Sequence, residues 1–106
     1  MGRKTDSKIM AKFSERVRTD FADAKILLFG SRAKGTALEE SDYDVIVISK
    51  GFEKIKFFDR ISKIYDYWKE QKPLEVFCYT PKEFEEKKKQ IGIVKEALKT
   101  ANTHSI

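Results

Sequence analysis

A single cysteine, Cys78, and a single histidine, His104, stand in a chain of 106 residues. One thiol can form no internal disulfide. Cys78 lies within an apolar run, so it reads as a small buried hydrophobe of the kind a reducing cytosol allows. His104 falls in a tail, residues 100–106, whose sequence reads as frayed, and is taken as inert. No run approaches the roughly 18 apolar residues of a membrane span, and the first residues, MGRKTDSK, lack the apolar segment of a signal peptide. Met1-Gly2 begins as a myristoylation site does, but Asp6 occupies the place where that motif takes Ser or Thr. The expectation is a cytoplasmic protein. Repeats, linkers and low-complexity tracts are missing as well, which leaves 1–106 as a single domain. Also absent is any interleaving of basic and aromatic residues, so direct nucleic-acid binding is not expected.

What is present suits a small soluble core. The chain is 41% hydrophobic and 37% charged, and a domain of this size buries about two-thirds of its unfolded surface. Lys and Arg number 22 against 17 Asp and Glu, a net charge of +5 that favours anionic partners such as phosphates or nucleotides. Lys87, Lys88 and Lys89 form the only run of like charge and read as a solvated helix face.

Hydrophobic spacing supplies the elements. Ile9, Met10, Phe13, Val17 and Phe21 recur at helical intervals, predicting an amphipathic helix over 7–21 with Asp6 as its N-cap. Residues 24–29 form a continuous apolar strand. One helical turn is expected at 31–34, closed by Gly35. A strand over 42–48 follows, with Asp42, Asp44, Ile46 and Ile48 on one face and Tyr43, Val45 and Val47 on the other. Because both faces are apolar beyond the aspartates, this strand should be central, with helices on both sides. Phe57, Phe58, Ile61, Ile64, Tyr65 and Trp68 predict a second helix reaching about Lys69, its rings in the core. After Pro73 comes a third strand over 74–79. Thr80-Pro81-Lys82-Glu83 then begins a helix: Thr80 caps, Pro81 fits the first turn, and Glu83 completes a capping box.

The unusual chemistry lies around the first two strands. A Gly-Ser pair at the end of a strand, Gly30-Ser31, offers main-chain N–H groups and a hydroxyl to an anion, although the same pair also suits an ordinary turn. Gly30 to Gly35 has P-loop spacing, but Thr36 stands where that motif requires Lys, and the P-loop is excluded. Asp42 and Asp44 are two residues apart and can converge on a hard cation such as Mg²⁺; alternatively they are the solvated start of a strand. Glu75 is an acid in an otherwise apolar third strand. It either joins the aspartates, if the two strands are neighbours, or pairs at the surface with Lys72. Three acids around one point would make a two-metal site.

The ordered set of a strand ending in Gly30-Ser31, then Asp42-x-Asp44 opening a second strand, then the lone acid Glu75 resembles the nucleotidyltransferase superfamily of DNA polymerase beta. More narrowly it resembles the minimal nucleotidyltransferases (MNT), small prokaryotic proteins that pair with a HEPN-domain protein. The likeness covers residues 24–84, and YTPKEFEE after the third acid resembles the family's continuation. It implies an α/β nucleotidyltransferase fold, a small mixed sheet of three to four strands flanked by helices. It further implies that Gly30 and Ser31 bind nucleotide phosphates, with at most one of Arg32 and Lys34 approaching them, since positions i and i+2 of a helical turn face apart. Asp42 and Asp44 become ligands of Mg²⁺, two ions in all, and Glu75 matches the third acid, where Asp is usual. By the same resemblance the chain takes ATP, transfers AMP to a hydroxyl, and acts as antitoxin by modifying a tyrosine of a HEPN toxin. The alternative is a non-catalytic antitoxin, or nucleotide-binding subunit, that neutralises its partner by occlusion.

Overall fold

The computed structural model describes residues 2–30, 32, 42–89 and 104–105. In chain order these form α1 (Gly2–Asp20), β1 (Lys25–Phe29), β2 (Tyr43–Ile48), a 3₁₀ turn (Lys50–Lys54), α2 (Phe57–Tyr65), β3 (Leu74–Tyr79), α3 (Pro81–Lys87) and β4 (His104–Ser105). The strands make one mixed sheet of order β3-β2-β1-β4. β2 runs antiparallel to β1 and parallel to β3, so the run Val45 to Ile48 is central, as its two apolar faces require. Val45, Ile46 and Val47 are fully buried, each such side chain contributing about 1.5–3 kcal/mol through removal from water. The result is the expected α/β architecture.

Alternation along β2 divides the core. Tyr43, Val45 and Val47 face a large cluster with Ile26, Leu28, Leu74, Val76 and Cys78, covered by Met10, Phe13 and Val17 of α1 and Ile64 of α2. Ile46 and Ile48 face a smaller one with Phe29, Tyr79 and Phe84, the last from α3. Burial pushes the Cys78 thiol up to about 12, so it packs as a neutral hydrophobe. Among the described residues no helix is long and apolar enough to cross a membrane.

Four expectations change. α1 begins at Gly2, so Asp6 is not its N-cap; it lies inside the helix with its side chain buried. Capping logic located Asp6 by its chemistry, but buried partners have recruited the carboxylate instead. The second helical segment does not run to Lys69. Ser49 accepts a hydrogen bond from Gly51 N to start a separate 3₁₀ turn, and α2 stops at Tyr65. In addition, α2 turns only a narrow stripe inward, Arg60 and Ile64, four residues apart. Phe57, Phe58 and Tyr65 are 40%, 78% and 42% exposed instead of lying in the core. The tail, expected to be frayed, also differs at residues 104–105, where His104 and Ser105 pair with Leu28 and Leu27 as β4. The expected turn at 31–34 with Gly35 lies, apart from Arg32, outside the described residues. β3 and the capping box of α3 are as expected, with Glu83 N donating to Thr80 Oγ1 and Thr80 N donating to Glu83 Oε1.

Candidate active site

The end of β1 and the beginnings of β2 and β3 meet at one end of the sheet. Register places Asp44 opposite Phe29 on β1 and opposite Glu75 on β3. Paired residues share a face, so the Asp44 and Glu75 side chains leave the sheet on the same side. Asp42 precedes β2 by one residue and is exposed, as is Glu75; Asp44 is half-buried between them. Glu75 thus adjoins the aspartates because β3 is the parallel neighbour of β2, which no spacing in the chain could reveal.

Gly30 follows β1 directly with φ of 75°, a left-handed conformation. A Cβ at this position would lie 2.5 Å from Asp44 Oδ2, so only glycine lets the backbone come this close to the carboxylate. The backbone at Gly30 therefore lies close beside Asp44. Ser31 and Lys34, the other expected phosphate binders, lie outside the described residues.

Arg32 is placed differently from the phosphate-facing position that the resemblance implies. It is buried, with Nη1 donating to Asp6 Oδ1 at 3.2 Å. Its guanidinium lies over the Tyr43 ring, 4.4 Å from the centroid. The Tyr43 hydroxyl donates to the same Asp6 oxygen at 2.5 Å. Burial first, and the Asp6 hydrogen bond second, raise this phenol well above its usual range, so it remains a donor.

The electrostatics are those of crowded acids. Burial raises the Asp44 carboxyl above the ordinary carboxylate range, and the fields of Glu75 and Asp42 add to the shift. Tyr65 stands in the same field: burial, then Glu75, then Asp42 raise its phenol, and its hydroxyl donates to the carbonyl of Leu74, the residue before Glu75. Spacing had assigned Tyr65 to the core, and nothing in its local sequence marks it as a neighbour of the acids.

Among the described residues, no group of three or more His, Cys, Asp or Glu side chains is disposed to hold a metal ion as it stands. The three acids share an end of the sheet, with Asp42 and Glu75 turned to solvent, and do not surround one point. The donor set nevertheless fits a hard divalent cation: it is all carboxylate oxygen, and beyond the effect of burial the Asp44 carboxyl stands in the negative fields of Glu75 and Asp42, which a cation would offset.

Comparison with known proteins gives a consistent result. Residues 10–100, most of the chain, match the model of the nucleotidyltransferase domain family. A candidate protein adenylyltransferase of Methanocaldococcus jannaschii is 41% identical over 56 residues, which span 51% of this chain and 38% of that protein. The chain thus matches well under half the length of this relative. Among solved structures, a candidate nucleotidyltransferase from Sulfolobus solfataricus superposes with a TM-score of 0.67 at 19% identity, covering 98% of this chain and 81% of the other. A second candidate nucleotidyltransferase superposes with a TM-score of 0.55 at 31% identity, covering 74% and 86% respectively.

Proposed function

This chain belongs to the nucleotidyltransferase domain family, and from that premise we propose that it transfers AMP from ATP to a protein hydroxyl in the cytoplasm. The observation that carries the reading is the register that puts Glu75 beside Asp44, with the Gly30 backbone against the Asp44 carboxylate. The name of the archaeal relative, matched over half of this chain, supports adenylyl transfer to protein in particular.

Asp42 and Asp44, with Glu75 beside them, are the residues that would hold Mg²⁺, whose charge when bound offsets that of the phosphates and lowers the pKa of a nearby hydroxyl. The turn at Gly30 binds phosphate oxygens through main-chain N–H groups, as left-handed turns at strand ends do. Glu75, exposed and opposite Asp44, takes the proton from the attacking hydroxyl onto a carboxylate oxygen as the hydroxyl oxygen bonds to the α-phosphorus of ATP, the α–β phosphoanhydride bond breaks and pyrophosphate leaves. Partial burial beside the Gly30 backbone restricts Asp44, which favours in-line attack over diffuse encounter.

For the acceptor we propose a tyrosine of a HEPN-domain toxin, with this chain as its antitoxin; the MNT-like arrangement of Gly30-Ser31, Asp42-x-Asp44 and Glu75 supports this. The test is transfer of label from α-labelled ATP to a co-expressed HEPN protein. Label should appear on tyrosine with the wild-type chain and be lost in Asp42→Asn/Asp44→Asn. Transfer that survives the double substitution would sink the role of these acids. Full rescue from toxicity by the unlabelling variant would favour neutralisation by occlusion.

A further inference from the structure

The residue between the two aspartates is the least explained part of the site. Tyr43 is fully buried, yet its phenol does not simply fill the core: its hydroxyl reaches α1 and shares Asp6 Oδ1 with Arg32. Arg32 lies two residues beyond Gly30 in the turn after β1, and its guanidinium is stacked on the Tyr43 ring. Asp6 and Arg32 are 6% and 5% exposed, so both charges are withdrawn from water and held against each other. Trp68 closes the far side of the ring at 5.1 Å and packs on Phe13 of α1 at 5.3 Å. Three elements are therefore joined through one carboxylate oxygen: α1, the turn after β1, and the start of β2.

We propose that Asp6, Arg32 and Tyr43 form a bracket that sets the Gly30 turn against the Asp42-x-Asp44 pair, making all three positioning residues for nucleotidyl transfer. The geometry gives each member a defined task. Tyr43 lies on the core side of the strand while its neighbours Asp42 and Asp44 lie on the other. Movement of the ring therefore moves both acids together. Arg32 is held two residues after Gly30, the position whose backbone leaves no room for a Cβ beside the Asp44 carboxylate. Asp6, on a helix of 19 residues, is the anchor for both. A purely packing role would be met by Phe at position 43 and by an apolar residue at position 6; burying an ion pair and a phenol instead costs desolvation, which specification of one orientation offsets.

This inference rests on the nucleotidyltransferase reading, and the experiment separates the two. Wild type, Tyr43→Phe, Asp6→Asn and the double variant are compared by calorimetric titration with Mn²⁺ and Mn²⁺-ATP, and by kcat and KM for transfer, at a temperature well below every unfolding midpoint. Tyr43→Phe keeps the ring and removes only the hydroxyl. A misplacement of about 1 Å in an aligned site lowers rate by as much as about 100-fold; the expected result is a fall in kcat of roughly 10- to 100-fold, with KM for nucleotide changed less than about threefold and Mn²⁺ affinity weakened several-fold. Asp6→Asn, which weakens the Arg32 ion pair as well as the Tyr43 hydrogen bond, should lower kcat at least as much, and the double variant should be little worse than Asp6→Asn alone, because both substitutions act on the Tyr43–Asp6 link. Lowered melting temperatures with kcat and Mn²⁺ affinity unchanged would overturn the bracket alone. A wild-type protein that binds neither Mn²⁺ nor Mn²⁺-ATP would overturn the nucleotidyltransferase reading, and the bracket with it.

Discussion

At the scale of single residues, Gly30 shows how closely the site is built. Two requirements coincide there: a left-handed φ of 75°, and space for the Asp44 carboxylate where a Cβ would sit at 2.5 Å. Alanine violates both. Gly30→Ala should destabilise the protein by about 1–3 kcal/mol, the usual range for backbone strain at such sites, and weaken nucleotide binding. Urea unfolding and an ATP titration measure the two effects, and an unchanged urea midpoint would show that the turn relaxes freely. Arg60 illustrates the opposite case, a charge placed in the core. It is 5% exposed, donating to the carbonyls of Ile55 and Cys78 and in a fork to both oxygens of Glu83.

At the scale of elements, that fork joins α2 to the start of α3 and bears on β3 as well. The outward edge of β3 presents carbonyls that a foreign strand could pair with. The Leu74 carbonyl accepts from the Tyr65 hydroxyl and the Cys78 carbonyl from Arg60, so two side chains of α2 occupy this edge. Glu83 serves two neighbours at once, Arg60 and the capping box of α3. The Arg60 hydrogen bonds hold its carboxyl below the ordinary carboxylate range, and the Thr80 N–H adds to the effect. Its contribution to stability is therefore complete above the unfolded-state value, about 4.3, and disappears as pH falls through the lower folded value. Glu83→Gln should accordingly be less stable than wild type by about 1 kcal/mol at pH 7. The gap should close below about pH 4, as a series of thermal melts at different pH values would show. A gap that stays constant down to acid pH would exclude this assignment.

At the scale of the whole molecule, stability and function oppose each other at one end of the sheet. The fold resists ionisation of Asp44, through burial first and then through Glu75 and Asp42. The penalty is therefore present at neutral pH, above the raised folded value, and vanishes below the ordinary Asp value of about 3.9. Asp44→Asn should melt higher than wild type at pH 7, with the advantage lost as pH falls below about 4, while on the proposed function it should lose transfer activity. A saturating divalent ion should give wild type the same relief, since a ligand at 100 times its Kd stabilises by about 2.7 kcal/mol, and should do little for Asp44→Asn. Melting curves with and without Mg²⁺ at several pH values test both statements. Equal responses of the two proteins to Mg²⁺ would place the ion elsewhere.

The chain by itself determined several features that depend on neighbours in sequence. Period-two alternation made β2 a two-faced central strand, Thr80 to Glu83 carried a complete capping signal for α3, and Gly30-Ser31 with Asp42-x-Asp44 marked one end of the first two strands as the place of chemistry. Tertiary structure decided whatever depends on which elements become neighbours. Periodicity cannot show which strand lies beside which, so only the parallel pairing of β2 with β3 brings Glu75 to Asp44. Helical spacing shows that a face is apolar but not how wide a stripe the sheet will cover; α2 therefore buries Arg60 and Ile64 while leaving Phe58 in water. Residue type makes Asp6 a good cap and Arg32 a good phosphate ligand. A buried phenol between two aspartates draws both into the core instead, because charges withdrawn from water persist only where they find each other.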